Sequence, residues 1–305
     1  MSTQPRQTIS YLTRRFQEVG LQPAKGHGQN FLIDMNLQNL LVDAADIQPD
    51  DVVLEVGTGT GGLTALLARR AAAVVTVEID QRLFQLAAEE LVECDNVTML
   101  SFDVLQNKNR FDPRLLEAVA QRLADGADRR FKLVANLPYN IATPVVSNLL
   151  STPRKPHSMT VTIQKELADR IVARPSTKDY GHLSIWIQSQ CQTEIVRTMP
   201  PSVFWPRPKV DSAIIHIRVD EARRARIANR PFFHDFVRAM FFHRRKYLRS
   251  VMVSALKGRL DKHHVDQILS ELGHGADRRA EQLGVDQMLV LCDAVRGRLE
   301  ANSAA

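Results

Sequence analysis

The chain has 305 residues, of which 44% are hydrophobic and 24% charged; this is the composition of a folded globular protein and excludes global disorder. No apolar run approaches the ~18 residues that a membrane-spanning helix needs. Cys94, Cys191 and Cys292 are far apart and never form a CxxC pair, which argues against a zinc knuckle or disulfide framework and fits a reducing compartment. At roughly 100–200 residues per domain the length suggests two domains, or one large one with an appendage, and the net charge of +6 permits a polyanionic partner without requiring one.

The N-terminus carries Arg6, Arg14 and Arg15 and no acid before Glu18. It lacks the apolar core and cleavage site of a secretory signal. An organelle presequence shares this composition, but Ile9, Leu12, Phe16 and Val19 recur at helical spacing and predict a surface helix packed on the body. Gly28-Gln29-Asn30-Phe31-Leu32 follows, a polar segment suited to closing over a ligand or to capping a helix.

From Asp50 short apolar runs alternate with helical periods. VVLEV (52–56), VVTVEI (74–79), VTML (97–100) and KLVAN (132–136) read as strands, with helices over 63–70, 81–91 and 113–123. Alternation of this kind predicts an α/β fold, a mostly parallel sheet covered by helices on both faces. TVTIQ (160–164), IWIQSQC (185–191) and VDSAIIHIRV (210–219) are further strand candidates, the last able to pair antiparallel at the end of the sheet. From Pro231 onward strand signals stop, and segments 232–242, 247–256, 265–272 and 285–295 read as amphipathic helices. The expected division is an N-terminal helical extension over 1–24, a sheet domain over 25–220 and a helical domain over 221–305.

Strand one runs from Glu55-Val56 into Gly57-Thr58-Gly59-Thr60-Gly61-Gly62 and straight on to a helix. Glycines there permit a tight turn and close backbone approach to a ligand. Gly57, Gly59 and Gly62 satisfy a dinucleotide fingerprint; Glu55, Gly57, Gly59 and Gly61 equally satisfy the ExGxGxG form of methyltransferases that use S-adenosylmethionine. Glu78 ends strand two, where an acid can accept ribose hydroxyls, and Asp103 follows strand three, where a carboxylate can accept from an adenine amino group. These residues indicate an adenosine-containing cofactor and do not choose one.

Asn136-Leu137-Pro138-Tyr139, at the end of strand four, makes the choice. Direct methylation of an exocyclic amine requires acceptors for both of its hydrogens and a flat surface for the base. The Asn136 side-chain oxygen and the Leu137 carbonyl can be the acceptors, Pro138 fixes the turn that aims the carbonyl, and the Tyr139 ring offers a stacking face. Phe204, in the proline-rich loop 203–212, is a candidate for the opposite face. Residues 219–260 hold eleven Lys/Arg against three acids, a local excess of +8 that leaves −2 for the rest of the chain. That excess suits a phosphate-binding face, with His243-Arg244-Arg245-Lys246 as contact candidates.

Taken in order, GQNFL (28–32), EVGTGTGGLT (55–64), VEID (77–80), FDV (102–104), NLPYNI (136–141), QKELADRI (164–171), YGHLSI (180–185), PKVDS (208–212) and RRK (244–246) resemble the small-subunit ribosomal RNA adenine N6,N6-dimethyltransferases. The resemblance implies a Rossmann-like methyltransferase sheet with a small C-terminal helical RNA-binding domain. It implies transfer of two methyls from S-adenosylmethionine to each of two adjacent adenines in a hairpin near the 3′ end of small-subunit rRNA, during subunit assembly. The implied cofactor contacts are Asn30, Leu32, Gly57, Gly59, Glu78, Asp103 and Asn136. The implied catalytic pocket is Asn136, Leu137, Pro138, Tyr139 and Phe204, and the implied RNA contacts are Arg244, Arg245, Lys246 and Arg249. No metal is expected. The expected partner is the immature small ribosomal subunit, the protein being cytoplasmic and monomeric. Departures from the family pattern are His27, the long stretch between Asp103 and Asn136, Ser250 and Trp205-Pro206-Arg207. A large-subunit rRNA methyltransferase, a non-catalytic assembly or transcription factor of the same fold, and a nicotinamide-dependent dehydrogenase are the competing readings.

Overall fold

A computed structural model describes residues 8–21 and 30–304. His27, Gly28 and Gln29 lie outside the described residues. The chain forms two compact units, one of residues 1–168 with 194–218, the other of 169–193 with 219–305.

The first unit holds most of a seven-stranded sheet. Its strands are β1 (Asp51–Val56), β2 (Ala73–Glu78), β3 (Val97–Ser101), β4 (Arg130–Asn136), β5 (Ser158–Gln164), β6 (Cys191–Met199) and β7 (Ser212–Val219), in the order β3-β2-β1-β4-β5-β7-β6. The ladders from β3 through β5 are parallel, and β7 runs antiparallel to β5, with Ser212 opposite Gln164. Every residue of β1 and β2 is buried, as expected of strands covered on both faces. A core of Leu41, Val42, Val53, Leu67, Val74, Val134 and Ile214 fills one side.

Four helices of this unit begin at side-chain caps, whereas α3 (Gly62–Ala68) and α6 (Ala142–Leu149) have none. Asp34 caps α2 (Met35–Ala44), Asp80 caps α4 (Gln81–Glu90), and Asp112 caps α5 (Pro113–Ala124), whose first residue is the proline. Thr8 caps the N-terminal helix α1 (Ile9–Glu18), and Phe16 and Leu21 pack against Leu83 and Leu86 of α4. At the other end of the sheet, Lys132 and Asp51 form a buried ion pair at 2.8 Å. Lys132 also donates to the Ala45 and Asp46 carbonyls.

The second unit is helical. Segment 185–188, read above as the start of a strand over 185–191, lies in a helix (α8, His182–Gln188). A short continuous apolar run fits a buried helix as well as a strand. Here the Ser184 hydroxyl accepts from the Gly181 N–H and donates to the Arg170 carbonyl, closing the first turn. The strand starts only at Cys191, and its polar alternation hides it from an apolar-run reading. α8 also moves the domain division. Trp186 packs on Phe233 and His234 of α10 (Arg230–Phe241), so 169–193 belongs with the helical unit although a sequence-contiguous division gave it to the sheet. The helices α11 (Leu248–Ala255), α12 (Lys262–Glu271) and α13 (Val285–Ala304) match the predicted segments, α13 running longer.

Candidate active site

The carboxyl ends of β1 to β4 surround a cavity of about 290 Å³ in the first unit, the place where open α/β sheets bind ligands. Asn30, Gly57, Gly59, Glu78, Asp103, Asn136, Leu137 and Pro138 all line it. The glycine loop and the Asn-Leu-Pro turn therefore share one space.

The loop side is built for close approach. Gly57 has φ +87°, and a Cβ there would lie 3.3 Å from the Pro138 ring; one at Gly59, φ +58°, would lie 3.2 Å from the Phe31 ring. The Gly59 N–H donates to a Glu78 carboxylate oxygen at 2.9 Å, and the other oxygen accepts from Ile79 and Asp80 N–H, each at 3.0 Å. Burial pushes the Glu78 carboxyl above the ordinary range, opposed by these backbone donors. Asp103 accepts from the Leu105 N–H through one oxygen, which fixes its turn. Beneath the loop, Glu55 accepts from the Thr64 and Thr76 hydroxyls, and Thr76 bonds Thr58 of the loop itself. Glu55 is fully buried and does not line the cavity; burial raises its carboxyl to about 8. It supports the loop from below.

On the other side, the Asn136 amide nitrogen donates to the Asn30 carbonyl at 2.7 Å. Only the NH2 end can donate to a carbonyl, so this bond identifies the remaining end of the carboxamide as an oxygen acceptor. Leu137 N–H bonds the Thr162 carbonyl and Ile141 N–H bonds the Pro138 carbonyl, pinning the turn at both ends. The Leu137 side chain is buried, so any contact with a base would be through its backbone. The Tyr139 hydroxyl and the Ser212 hydroxyl lie 2.5 Å apart. Burial raises the Tyr139 phenol, and its half-buried ring does not line the cavity.

Three predicted contacts therefore do not line the cavity: Tyr139, Leu32 and Phe204. Phe204 is 2% exposed and lies in the core with Leu32, and neither lines the cavity. The physical reason is a short antiparallel ribbon that pairs Leu32 with Phe204 and Phe31 with Trp205. Paired residues share a face and neighbours alternate. With Phe31 facing the glycine loop, Leu32 and its partner Phe204 must face the core. Phe31 is thus the ring on the cavity, backed edge-on by Phe16 at 5.3 Å. Ile79 and Phe102, which also line the cavity, escaped the sequence reading. Their signal is an apolar residue beside each strand-end acid, and Ile79 stays 52% exposed.

In the helical unit the four predicted RNA contacts divide. Arg244 donates to Glu281 and to the Thr177 and Lys178 carbonyls. Arg249 forms a two-pronged bond with Asp266 at 2.6 and 2.8 Å. Arg245 and Lys246 are exposed. Among the described residues no group of three or more metal-ligating side chains occurs, and no helix is long and apolar enough to cross a membrane.

Comparison with known proteins bears on the chain as a whole. Residues 21–291 match the model of the ribosomal RNA adenine dimethylase family. Ribosomal RNA small subunit methyltransferase A of Geobacillus kaustophilus is 40% identical over 92% of this chain and 93% of its own length, and that of Bacillus mycoides is equally similar. Among solved structures, a dimethyladenosine transferase from Plasmodium falciparum superposes with a TM-score of 0.70 at 23% identity, covering 85% of this chain and 94% of that one. The 23S rRNA methyltransferase ErmE superposes with a TM-score of 0.59 at 25% identity, covering 87% and 99%. With a glycine loop, two strand-end acids and an Asn-Leu-Pro turn around one cavity, and a family match spanning most of its length, the chain belongs to the ribosomal RNA adenine dimethylases.

Proposed function

We propose that this protein methylates the N6 amine of adenine in small-subunit rRNA, twice on each of two adjacent bases, with S-adenosylmethionine as donor. The observation that carries this reading is the continuity of the cavity from Glu78 and Asp103 to Asn136. The donor set suits an adenosine: a buried carboxylate for ribose hydroxyls, a second acid for the adenine amine, and a glycine loop lining the same cavity. When bound, S-adenosylmethionine supplies an electrophilic sulfonium methyl. The Asn136 oxygen and the Leu137 carbonyl accept the two hydrogens of the target amine and draw its lone pair out of the ring toward the donor side. Pro138 holds the turn, and Ser212 holds the Tyr139 ring. Catalysis rests on positioning and on fixed dipoles. No side chain is assigned as general base, and the proton passes to water.

The helical unit is assigned to RNA binding, and the physiological substrate to an immature small subunit met by a monomer in the cytoplasm. The 40% identical relatives favour the small-subunit reading over the large-subunit one; the likeness to a 23S enzyme keeps the latter as the alternative. The test is incubation of the purified protein with labelled donor and either immature small or large subunits, followed by mass spectrometry of rRNA fragments. Dimethyladenine confined to a small-subunit hairpin is expected. Label in large-subunit rRNA, or binding without transfer, would overturn the assignment.

A further inference from the structure

The connection between α10 and α11 leaves two aromatic rings in water. Phe242 is 80% exposed and Tyr247 is 49% exposed, although rings of this size are normally buried for their apolar area. Neither closes a core in the helical unit, so folding of the unit does not account for them. Each has a side chain against its ring. The Arg279 guanidinium lies 5.7 Å from the Tyr247 ring centroid, and a backbone bridge pairs the same two residues. The His243 ring meets Phe242 edge-on at 4.8 Å. In the chain between the two rings come Arg245 and Lys246, exposed and, among the described residues, without an ion-pair partner. Arg244 and Arg249 differ, since Glu281 and Asp266 already engage them. Two cations of the segment hold the fold, and two are left beside exposed rings.

Rings interleaved with unneutralised cations match the chemistry of an unpaired nucleic-acid strand, whose phosphates seek cations and whose bases stack on any aromatic face. An acidic protein surface would engage the cations and leave the rings unexplained. We infer that Phe242 and Tyr247 are stacking platforms for unpaired nucleotides of the RNA substrate, with Arg245 and Lys246 on the adjoining phosphates. This rests on the proposed RNA substrate and adds the strandedness of what the helical unit grips.

The test measures the affinity of the full chain for a small-subunit rRNA hairpin and for a fully paired RNA duplex of equal length, across a series of salt concentrations. Phe242→Leu with Tyr247→Leu keeps apolar bulk and removes the π faces. That variant should bind the hairpin at least about tenfold more weakly, at an unchanged salt slope, because stacking releases no counterions. Its affinity for the duplex should match wild type. Arg245→Ala with Lys246→Ala should instead lower the slope by about 1.4, two single-strand phosphate contacts at ~0.7 each. Phe242→Trp should preserve affinity and show fluorescence quenching on binding. Hairpin affinity of the leucine variant within about twofold of wild type, or equal losses on hairpin and duplex, would overturn the stacking role alone. A wild-type chain that binds neither RNA would overturn the RNA-substrate reading and this inference with it. All positions are exposed surface sites, and thermal melting monitors their folding.

Discussion

Gly57→Ala tests whether the loop and the target turn are mechanically one site. Gly57 sits at φ +87°, and an added Cβ would meet Pro138 Cδ at 3.3 Å and Cγ at 3.4 Å. The left-handed backbone costs an alanine about 1–2 kcal/mol, which for a domain of this size lowers the melting temperature by about 2–8 °C. The steric part is separate. Pro138 must retreat by a few tenths of an ångström, and it carries the Leu137 carbonyl with it. Since a misplacement of about 1 Å costs roughly a hundredfold in rate, this shift should cost about tenfold in the methyl-transfer rate at saturating donor. Gly59→Ala is the matched control. Its backbone is also left-handed, but its Cβ meets Phe31 at 3.2 Å on the cofactor wall, so it should raise the donor KM more than it lowers kcat. Stopped-flow methyl transfer, donor calorimetry and thermal melting on both variants separate the effects. If Gly57→Ala weakened only donor binding and left the saturated rate at the wild-type value, the coupling of loop to turn would be refuted.

Glu55 makes stability depend on pH. Its carboxyl is held near 8 in the folded chain against an ordinary 4.5, so folding binds a proton between those values. Its contribution is fully present below about pH 4.5 and is lost as pH rises through 8, at up to about 1.4 kcal/mol per pH unit. Glu55→Gln should flatten this slope in denaturant titrations, and an unaltered slope would show that the carboxyl is not the titrating group. Lys132→Met leaves the buried Asp51 carboxylate with the half-exposed Arg130 at 3.2 Å as its remaining ion-pair partner and should destabilise the fold by about 2–3 kcal/mol, below the full cost of an uncompensated buried charge; a loss below about 1 kcal/mol would show that the Lys132 pair is dispensable. Phe16→Ala removes the ring behind Phe31 and should cost about 3–5 kcal/mol where α1 packs on α4, with weaker donor binding as well. Normal donor affinity in that variant would show that Phe31 needs no backing from α1.

The sheet was legible because its central strands are buried on both faces and so read as unbroken apolar runs, VVLEV and VVTVEI among them. The strand-end acids Glu78 and Asp103 were legible because each closes or closely follows such a run. What escaped depends on contacts distant in sequence. Phe204 reads as a loop aromatic until the ribbon with Leu32 turns it inward. Arg244 reads as a free cation until Glu281 and two carbonyls from residues 177 and 178 arrive beside it. Segment 185–188 has the composition of a strand, and its place against Phe233 makes it a helix. Of the proposed site, Asn136 and the glycine loop were readable as motifs. The bond from Asn136 to the Asn30 carbonyl, which settles the orientation of the carboxamide, was not.

Asn136→Ala in single-turnover methyl transfer tests the central claim most directly, with donor and RNA affinities measured on the same preparation. A rate at least about a hundredfold below wild type is expected, since a positioned acceptor on the target amine is lost, while RNA affinity stays as it was. A variant that transfers methyl at the wild-type rate would contradict that claim, and the grip on the adenine amine would have to be sought in other residues.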